Sequence, residues 1–543
     1  MTMSNRSCAA SIAALGFFFL TAPALGQPDE PKKPVGVYLH VDIEYMLKKA
    51  HHEHDDQATQ DAFIKKRLSK LLNSSAIAGV AVGLHWSTLD HVLPSVDLAA
   101  ESTCPSCVWN DLDDVFEVVN AMPDKTVQLI VTPGFDAPPW LKQRLAPCDD
   151  LFTKNSSGVG PDCGSVQFID FNEQQRSDQW PQPGLYTLPL PWNTDYQNAW
   201  WQFLGALNRH VKDQPSLVAI AIAGPVAGSD EMILPTTLNG LDPKNGVHSK
   251  TQVGGKPADK AWTMLIDNYN RDTQHKPYPD NSNQIFVDQW TTTIAKYESL
   301  FSGLTIFLGP DSGHDYPTFR LTGPAPATKT LYGVECGLLS GQLLTSCAAK
   351  VQVIEAFLAA KGPNQKATEV GGMTAASEPE FGNIGVAGVK LLTARYDGLR
   401  ETGQLIGGAQ FDHAVSNLRD HEGCPSSDRT CQHTPMTVET AAVAVLKEFF
   451  HHTTVGQNYG DAPADNLNET MYYLDVPQGD IEYMEQNGCT SNTTGVLSLY
   501  QQLATANYYL KFMAGQHPPI FELLDICQPI KPPPIKPPPV QKQ

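Results

Sequence analysis

Eight times along this chain a strand-length apolar run is followed by a stretch whose apolar residues recur at helical spacing, and this recurrence constrains the fold more than any other feature. The runs are Val35 to Ile43, Ile77 to Trp86, Val127 to Thr132, Leu217 to Ala223, Leu304 to Leu308, Ala367 to Thr374, Leu405 to Phe411 and Met471 to Val476. A strand buried on both faces reads as a continuous apolar run, because both sides of its pleat meet other side chains. Between the runs the spacing changes to three and four. Tyr196, Trp200, Phe203, Leu207 and Val211 share one helical face, as do Phe286, Trp290, Ile294, Tyr297 and Phe301, and Val108 to Asn120 reads as a further helix. Eight βα units in succession, with no strand-rich block elsewhere, predict the α/β class: a (β/α)8 TIM barrel with long, disulfide-braced βα loops. An open doubly wound sheet would carry a Gly-rich phosphate turn after its first strand, where this chain has Asp42-Ile43-Glu44.

The barrel is expected over residues 27–528, between two segments of other character. Residues 1–26 read as a signal peptide: Arg6 is followed by the apolar stretch Ala9 to Leu20, and Ala24-Leu25-Gly26 offers small residues for cleavage. That stretch is short of the roughly 20 residues a membrane span needs. A secreted or periplasmic protein with no transmembrane segment is therefore expected. Residues 529–543 hold the tandem Ile530-Lys-Pro-Pro-Pro and Ile535-Lys-Pro-Pro-Pro, a disordered polyproline II tail that would serve as a spacer or dock to an envelope or wall. Cys8 leaves with the signal. The other ten cysteines fall largely into near neighbours: Cys104 and Cys107, Cys148 and Cys163, Cys336 and Cys347, Cys424 and Cys431, with Cys489 and Cys527 left over. An even number in an exported chain reads as disulfides, although spacing leaves their connectivity open.

With 58 acidic side chains against 38 basic ones the chain carries a formal charge of −20, which disfavours nucleic acid as a partner. Polar, acidic and aromatic residues gather just after the expected strands, where barrels build their sites. Asp42 and Glu44 follow the first, His85 and Trp86 the second, Asp136 and Trp140 the third, and Asp230-Glu231 the fourth. Asp311 and His314 follow the fifth, Glu378 and Glu380 the sixth, and Asp412 the seventh, while Asp475 lies in the eighth. Indole faces beside carboxylates suit sugar rings, which offer an apolar C–H face and many hydroxyls. His85, Trp86, Trp140, Asp136, His314, Asp412 and Asp475 are accordingly the candidate substrate-binding residues. Cleavage of a glycosidic bond needs two carboxyl groups, one protonated to give the leaving oxygen a proton and one ionised to attack the anomeric carbon or activate water. Neither a Gly-x-Ser-x-Gly elbow nor a phosphate loop is present, and Cys104-Pro-Ser-Cys107 has no second Cys pair at zinc spacing. Hence no cofactor and no metal are expected.

The order of elements, with Gly79-Val-Ala-Val-Gly-Leu-His-Trp-Ser at the second strand and Val131-Thr132-Pro133-Gly134 to Pro139-Trp140 at the third, resembles the clan A glycoside hydrolases. The resemblance implies a general acid/base Glu after the fourth strand, matched by Glu231, and a nucleophile Glu after a late strand, for which Glu378 in Ala375-Ala-Ser-Glu-Pro-Glu-Phe-Gly is best placed. Three departures accompany it. Asp230 precedes Glu231 where the clan has Asn, Glu231 lies eight residues beyond Ala223 where the clan has it one or two beyond the strand, and Asp412 follows the seventh strand where the clan has Glu. The expected function is an exported glycoside hydrolase acting on O-glycosidic bonds of a poly- or oligosaccharide, retaining if the two carboxyls stand about 5 Å apart. The alternatives are a catalytically inactive barrel that binds carbohydrate or cell wall, and a metal-dependent hydrolase built on Asp42, His85, Asp311 and His314.

Overall fold

The computed structural model describes residues 32–44, 46–47, 50, 57–90, 107–153, 158–170, 184–228, 232–235, 241–244, 257–272, 277–278, 284–309, 365–373, 405–411, 471–487 and 497–516, with short pieces between 330 and 360 and between 438 and 446. The signal segment, the proline tail, Cys104, Cys336, Cys347, Cys424, Cys431, Cys489 and Cys527 lie outside them.

The eight expected runs fall on strands within two residues of their expected limits: β1 (Gly36–Asp42), β2 (Gly79–His85), β3 (Thr126–Thr132), β4 (Leu217–Ala221), β5 (Thr305–Leu308), β6 (Gln365–Met373), β7 (Leu405–Phe411) and β8 (Met471–Pro477). Each pairs in parallel with the next, and β8 pairs in parallel with β1, so the sheet curls round and closes. The described connections carry helices: α1 (Gln57–Leu72), α2 (Asn110–Asn120), α3 (Pro139–Arg144), α4 (Thr194–Val211), α5 (Pro257–Asn270) and α6 (Gln284–Leu300), with α7 (Gln478–Asn487) and α8 (Leu499–Met513) after β8. The connection from β6 to β7 lies outside the described residues. What is described is thus a curled parallel sheet with helices, and not a complete eightfold alternation.

Period-two alternation decides what each strand residue touches. Tyr38, Ala81, Ile130, Ala219, Ala221, Phe307 and Tyr473 form one buried cluster inside the barrel. The intervening Val37, Leu39, Val41, Val80, Val82, Leu84, Val127, Leu129 and Val131 pack in the larger core that includes the helices. Local signals start the helices cleanly. Asn193 caps α4 by accepting from the Tyr196 N–H at 3.0 Å, and Ser498 and Gln501 form a reciprocal capping box at α8. From α8, Asn507 accepts the Val37 N–H at 3.0 Å and donates to the Ser75 carbonyl at 2.9 Å, which ties the last helix to the amino end of the barrel.

Two expectations need correction. Helix α2 begins at Asn110, because the Val108 N–H is taken by the Leu89 carbonyl at 2.8 Å. The long segments after β3 and β4 also hold strands of their own: Ser165–Asp170 pairs antiparallel with both Leu185–Pro189 and Leu241–Pro243. The buried side chains of Val166, Phe168 and Leu188 give this small sheet an apolar face. Beside it Cys148 and Cys163 are joined in a disulfide, and Cys107 is disulfide-bonded as well. Among the described residues no helix is long and apolar enough to cross a membrane.

Candidate active site

Side chains from β1, β2 and β3 converge where these strands end. Asp42 is the last residue of β1, His85 the last of β2, and Thr132 the last of β3. After Thr132 the chain makes a single 3-10 turn, Gly134–Asp136, that carries Asp136 back over the strand ends. Gly134 permits the turn: its φ is 69°, and a Cβ there would collide with the carbonyl oxygens of Val226 and Ala227.

His85 is the hub. Its Nδ1 stands 2.9 Å from Asp136 Oδ1 and 3.1 Å from Glu44 Oε2, while its Nε2 is 4.0 Å from Asp42 Oδ2. Burial works to lower the imidazole pKa, but the hydrogen bond and charge of Asp136, joined by the charges of Glu44 and Asp42, outweigh it and raise it. Asp136 is held from its other oxygen by Thr132, whose hydroxyl donates to Oδ2 at 2.7 Å. Behind the turn the Lys142 ammonium donates to the Phe135 carbonyl, and burial pulls its pKa down against the opposing pull of Asp136.

Lower in the barrel the polarity continues. His40 sits one inward position before Asp42 on β1, and its imidazole pKa is lowered by burial. Further down, Gln128 Nε2 donates to Asp475 Oδ1 at 3.4 Å, both side chains being fully buried.

Of the candidate residues, His85 and Asp136 are brought together. Three others are placed elsewhere than expected. Trp86 is fully buried against Tyr196, Trp200 and Phe203, so it packs the helix-facing core and has no face open to a sugar. Trp140 is buried in the same core. Asp475 points into the barrel interior, where Gln128 holds it, rather than to the rim. Glu231, Glu378, His314 and Asp412 lie outside the described residues, as does Asp311. The residues flanking Glu231 are anchored at the same end of the barrel: the Ala227 N–H donates to the Ile233 carbonyl at 2.8 Å, the Met232 N–H to the Gly309 carbonyl at 3.1 Å, and the Phe135 N–H to the Ala227 carbonyl at 2.5 Å.

Glu44 and Thr132 were not among the substrate-binding candidates. A readable signal existed for Thr132, which shares its inward parity with Gln128 and Ile130. Glu44 lies beyond the end of β1, and its approach to His85 has no sequence signature. Among the described residues no group of His, Cys, Asp or Glu is arranged to hold a metal ion. What the rim can do is accept and donate hydrogen bonds to a polyhydroxylated ligand and hold a proton on His85.

No family model and no curated protein matches the chain. Among solved structures it is similar to the catalytic domain of beta-amylase from Paenibacillus polymyxa, at 10% identity and a TM-score of 0.34 over 84% of this chain and 94% of that one. It is also similar to beta-1,4-D-mannanase from Cryptopygus antarcticus, at 10% identity and a TM-score of 0.32 over 86% and 97% of the two chains. Likenesses at this level leave the reading of the site to its own residues.

Proposed function

We propose that this chain is an exported glycoside hydrolase with a (β/α)8 architecture, acting on O-glycosidic bonds of a poly- or oligosaccharide. The observation that carries the reading is the rim at the carboxyl end of the closed parallel sheet, where Asp42, Glu44 and Asp136 surround His85. Carboxylates accept from sugar hydroxyls, and the imidazole can donate to them. A neutral glycan meets no repulsion from this acidic surround.

In the mechanism proposed, Glu231 gives its proton to the leaving oxygen as general acid, and Glu378 attacks the anomeric carbon to form a glycosyl ester. Glu231 then takes a proton from the water that hydrolyses the ester. The anchoring of Ala227 and Met232 supports Glu231 in this role, since it keeps the ends of that loop beside the β3 turn and the end of β5. His85 and Asp136 would orient the ring being cleaved. The proline tail would act outside the barrel, as a spacer or wall-docking strip.

A second reading, a carbohydrate-binding barrel without turnover, is favoured by Asp230 in place of the clan's Asn and by Asp412 in place of its late-strand Glu. Incubation of the mature chain with a panel of neutral polysaccharides and oligosaccharides separates the two. New reducing ends from at least one glycan are expected of the enzyme, whereas binding with no reducing ends from any of them would establish the binder.

A further inference from the structure

Among the described residues, no neighbour of Gly83 on β2 requires a glycine there. Gly79, earlier on the same inward face, is forced, because a Cβ on it would stand 2.1 Å from the Thr126 carbonyl oxygen. At Gly83 the same atom would meet nothing nearer than the Val41 carbonyl oxygen at 3.6 Å and His40 Nε2 at 3.7 Å, which are ordinary contacts, and its φ is not left-handed. A glycine inside a strand costs stability, and one that packing does not demand is a mark of close approach by something else.

The register shows what the missing side chain leaves open. Gly83 pairs with Asp42 of β1 and Ile130 of β3, Ala81 in the layer below pairs with His40, and His85 in the layer above pairs with Thr132. The barrel wall is therefore one side chain short directly beneath His85. Gly83 and His40 both keep exposed surface, Asp42 is exposed, and Ala81 is fully buried. A notch thus descends one layer below the rim, with Asp42 at its side, the edge of the His40 ring at its floor and Ala81 closing it.

The chemistry of the notch is mixed. Gly83 offers only C–H surface, while the Asp42 carboxylate has two oxygens with several acceptor sites between them. A methylene that ends in a hydroxyl matches both, and on a sugar ring that arm is the exocyclic hydroxymethyl group. A hydroxyl set directly on the ring reaches one atom less far.

We propose that the notch over Gly83 receives the hydroxymethyl group of a hexosyl ring, with Asp42 accepting from its hydroxyl, so that Gly83 makes the site select hexosyl over pentosyl glycans. The assignment rests on the carbohydrate reading and adds to it the class of sugar. A pentosyl ring lacks the arm and leaves the notch unfilled, and a side chain at position 83 would take up the space the arm needs.

Two measurements on the mature chain test this, and they fail separately. The first needs no sugar. In folded Gly83→Cys the introduced thiol should be alkylated by iodoacetamide, as mapped by mass spectrometry, because the notch opens to solvent. A thiol that reacts only after unfolding would overturn the notch, whatever the chain does. The second compares the affinities of aryl pyranosides of glucose with xylose, galactose with L-arabinose and mannose with lyxose, each pair differing only in the hydroxymethyl group. The wild type should bind the hexosyl member of at least one pair about tenfold more tightly or better. Alkylated Gly83→Cys, its notch filled after folding, should bind the two members alike. Gly83→Ala, whose Cβ meets only ordinary contacts, should keep the fold and show a smaller preference than the wild type. Equal affinities in the wild type, or a preference untouched by both changes, would overturn the hydroxymethyl assignment and leave the hydrolase reading standing. Binding of no glycoside in any pair would remove the sugar as occupant together with that reading.

Discussion

Gly134 and Ala227 stand closer than any side chain on Gly134 would allow, and the N–H of the next residue, Phe135, donates to the Ala227 carbonyl at 2.5 Å. The turn that presents Asp136 is thereby fastened to the chain leading to Glu231. Gly134→Ala should cost about 2–4 kcal/mol, from the left-handed φ together with the collision against Val226 and Ala227. Chemical denaturation would read the loss, and the His85 titration should shift in the same variant because Asp136 moves with its turn.

Trp86 separates a packing role from a binding one. Trp86→Ala should destabilise by about 3–5 kcal/mol, since a fully buried indole leaves a cavity among Tyr196, Trp200 and Phe203. Trp86→Phe should recover most of that loss and leave glycan affinity as in the wild type. Loss of affinity in a Trp86→Phe protein of near-normal stability would return Trp86 to the cleft.

His40 should set part of the acid sensitivity. Burial lowers its folded-state pKa below the unfolded value of about 6.5, so the unfolded chain binds a proton that the folded one refuses. Its contribution is therefore complete above about pH 6.5 and is lost as the pH falls toward the folded value. His85, with a raised pKa, has the opposite sign: its stabilisation is present below about pH 6.5 and fades as the pH rises through the folded value. Thermal midpoints between about pH 5 and 7.5 should fall less steeply on the acid side in His40→Gln than in the wild type. Parallel curves for the two proteins would contradict this assignment.

The Cys148–Cys163 disulfide closes a loop of sequence separation 15 next to the small antiparallel sheet. For a loop of that length the chain-entropy account gives about 3 kcal/mol. The double variant Cys148→Ser, Cys163→Ser should lose close to that amount in denaturant while the barrel still folds. Far-ultraviolet circular dichroism would show the retained barrel.

Much of the barrel was legible because strands that meet side chains on both faces are mostly apolar, as Val127, Leu129, Ile130 and Val131 are in β3, and the run Leu405 to Phe411 has the same limits in sequence and structure. The small sheet was missed for a reason of distance. Val166 and Phe168 alternate as a strand should, but one partner, Leu241–Pro243, lies more than 70 residues away and its register is set only by folding. At the site, His85 and Asp136 were legible as polar residues at strand ends. Trp86 was misplaced although the signal was available. Gly79, Ala81, Gly83 and His85 share one parity on β2, so the neighbouring Trp86 falls with Val80, Val82 and Leu84 on the helix-facing side. The convergence of Glu44 on His85 had no such signal, because it depends on how a turn leaves β1.

The role proposed for Glu231, acid/base of a working glycoside hydrolase, is read by the rate of reducing-end release from Glu231→Gln. On a glycan that the wild type cleaves, kcat should fall by about 10²–10⁴-fold with the fold intact, the loss expected when a positioned general acid is removed. A Glu231→Gln protein that cleaves at the wild-type rate would contradict it.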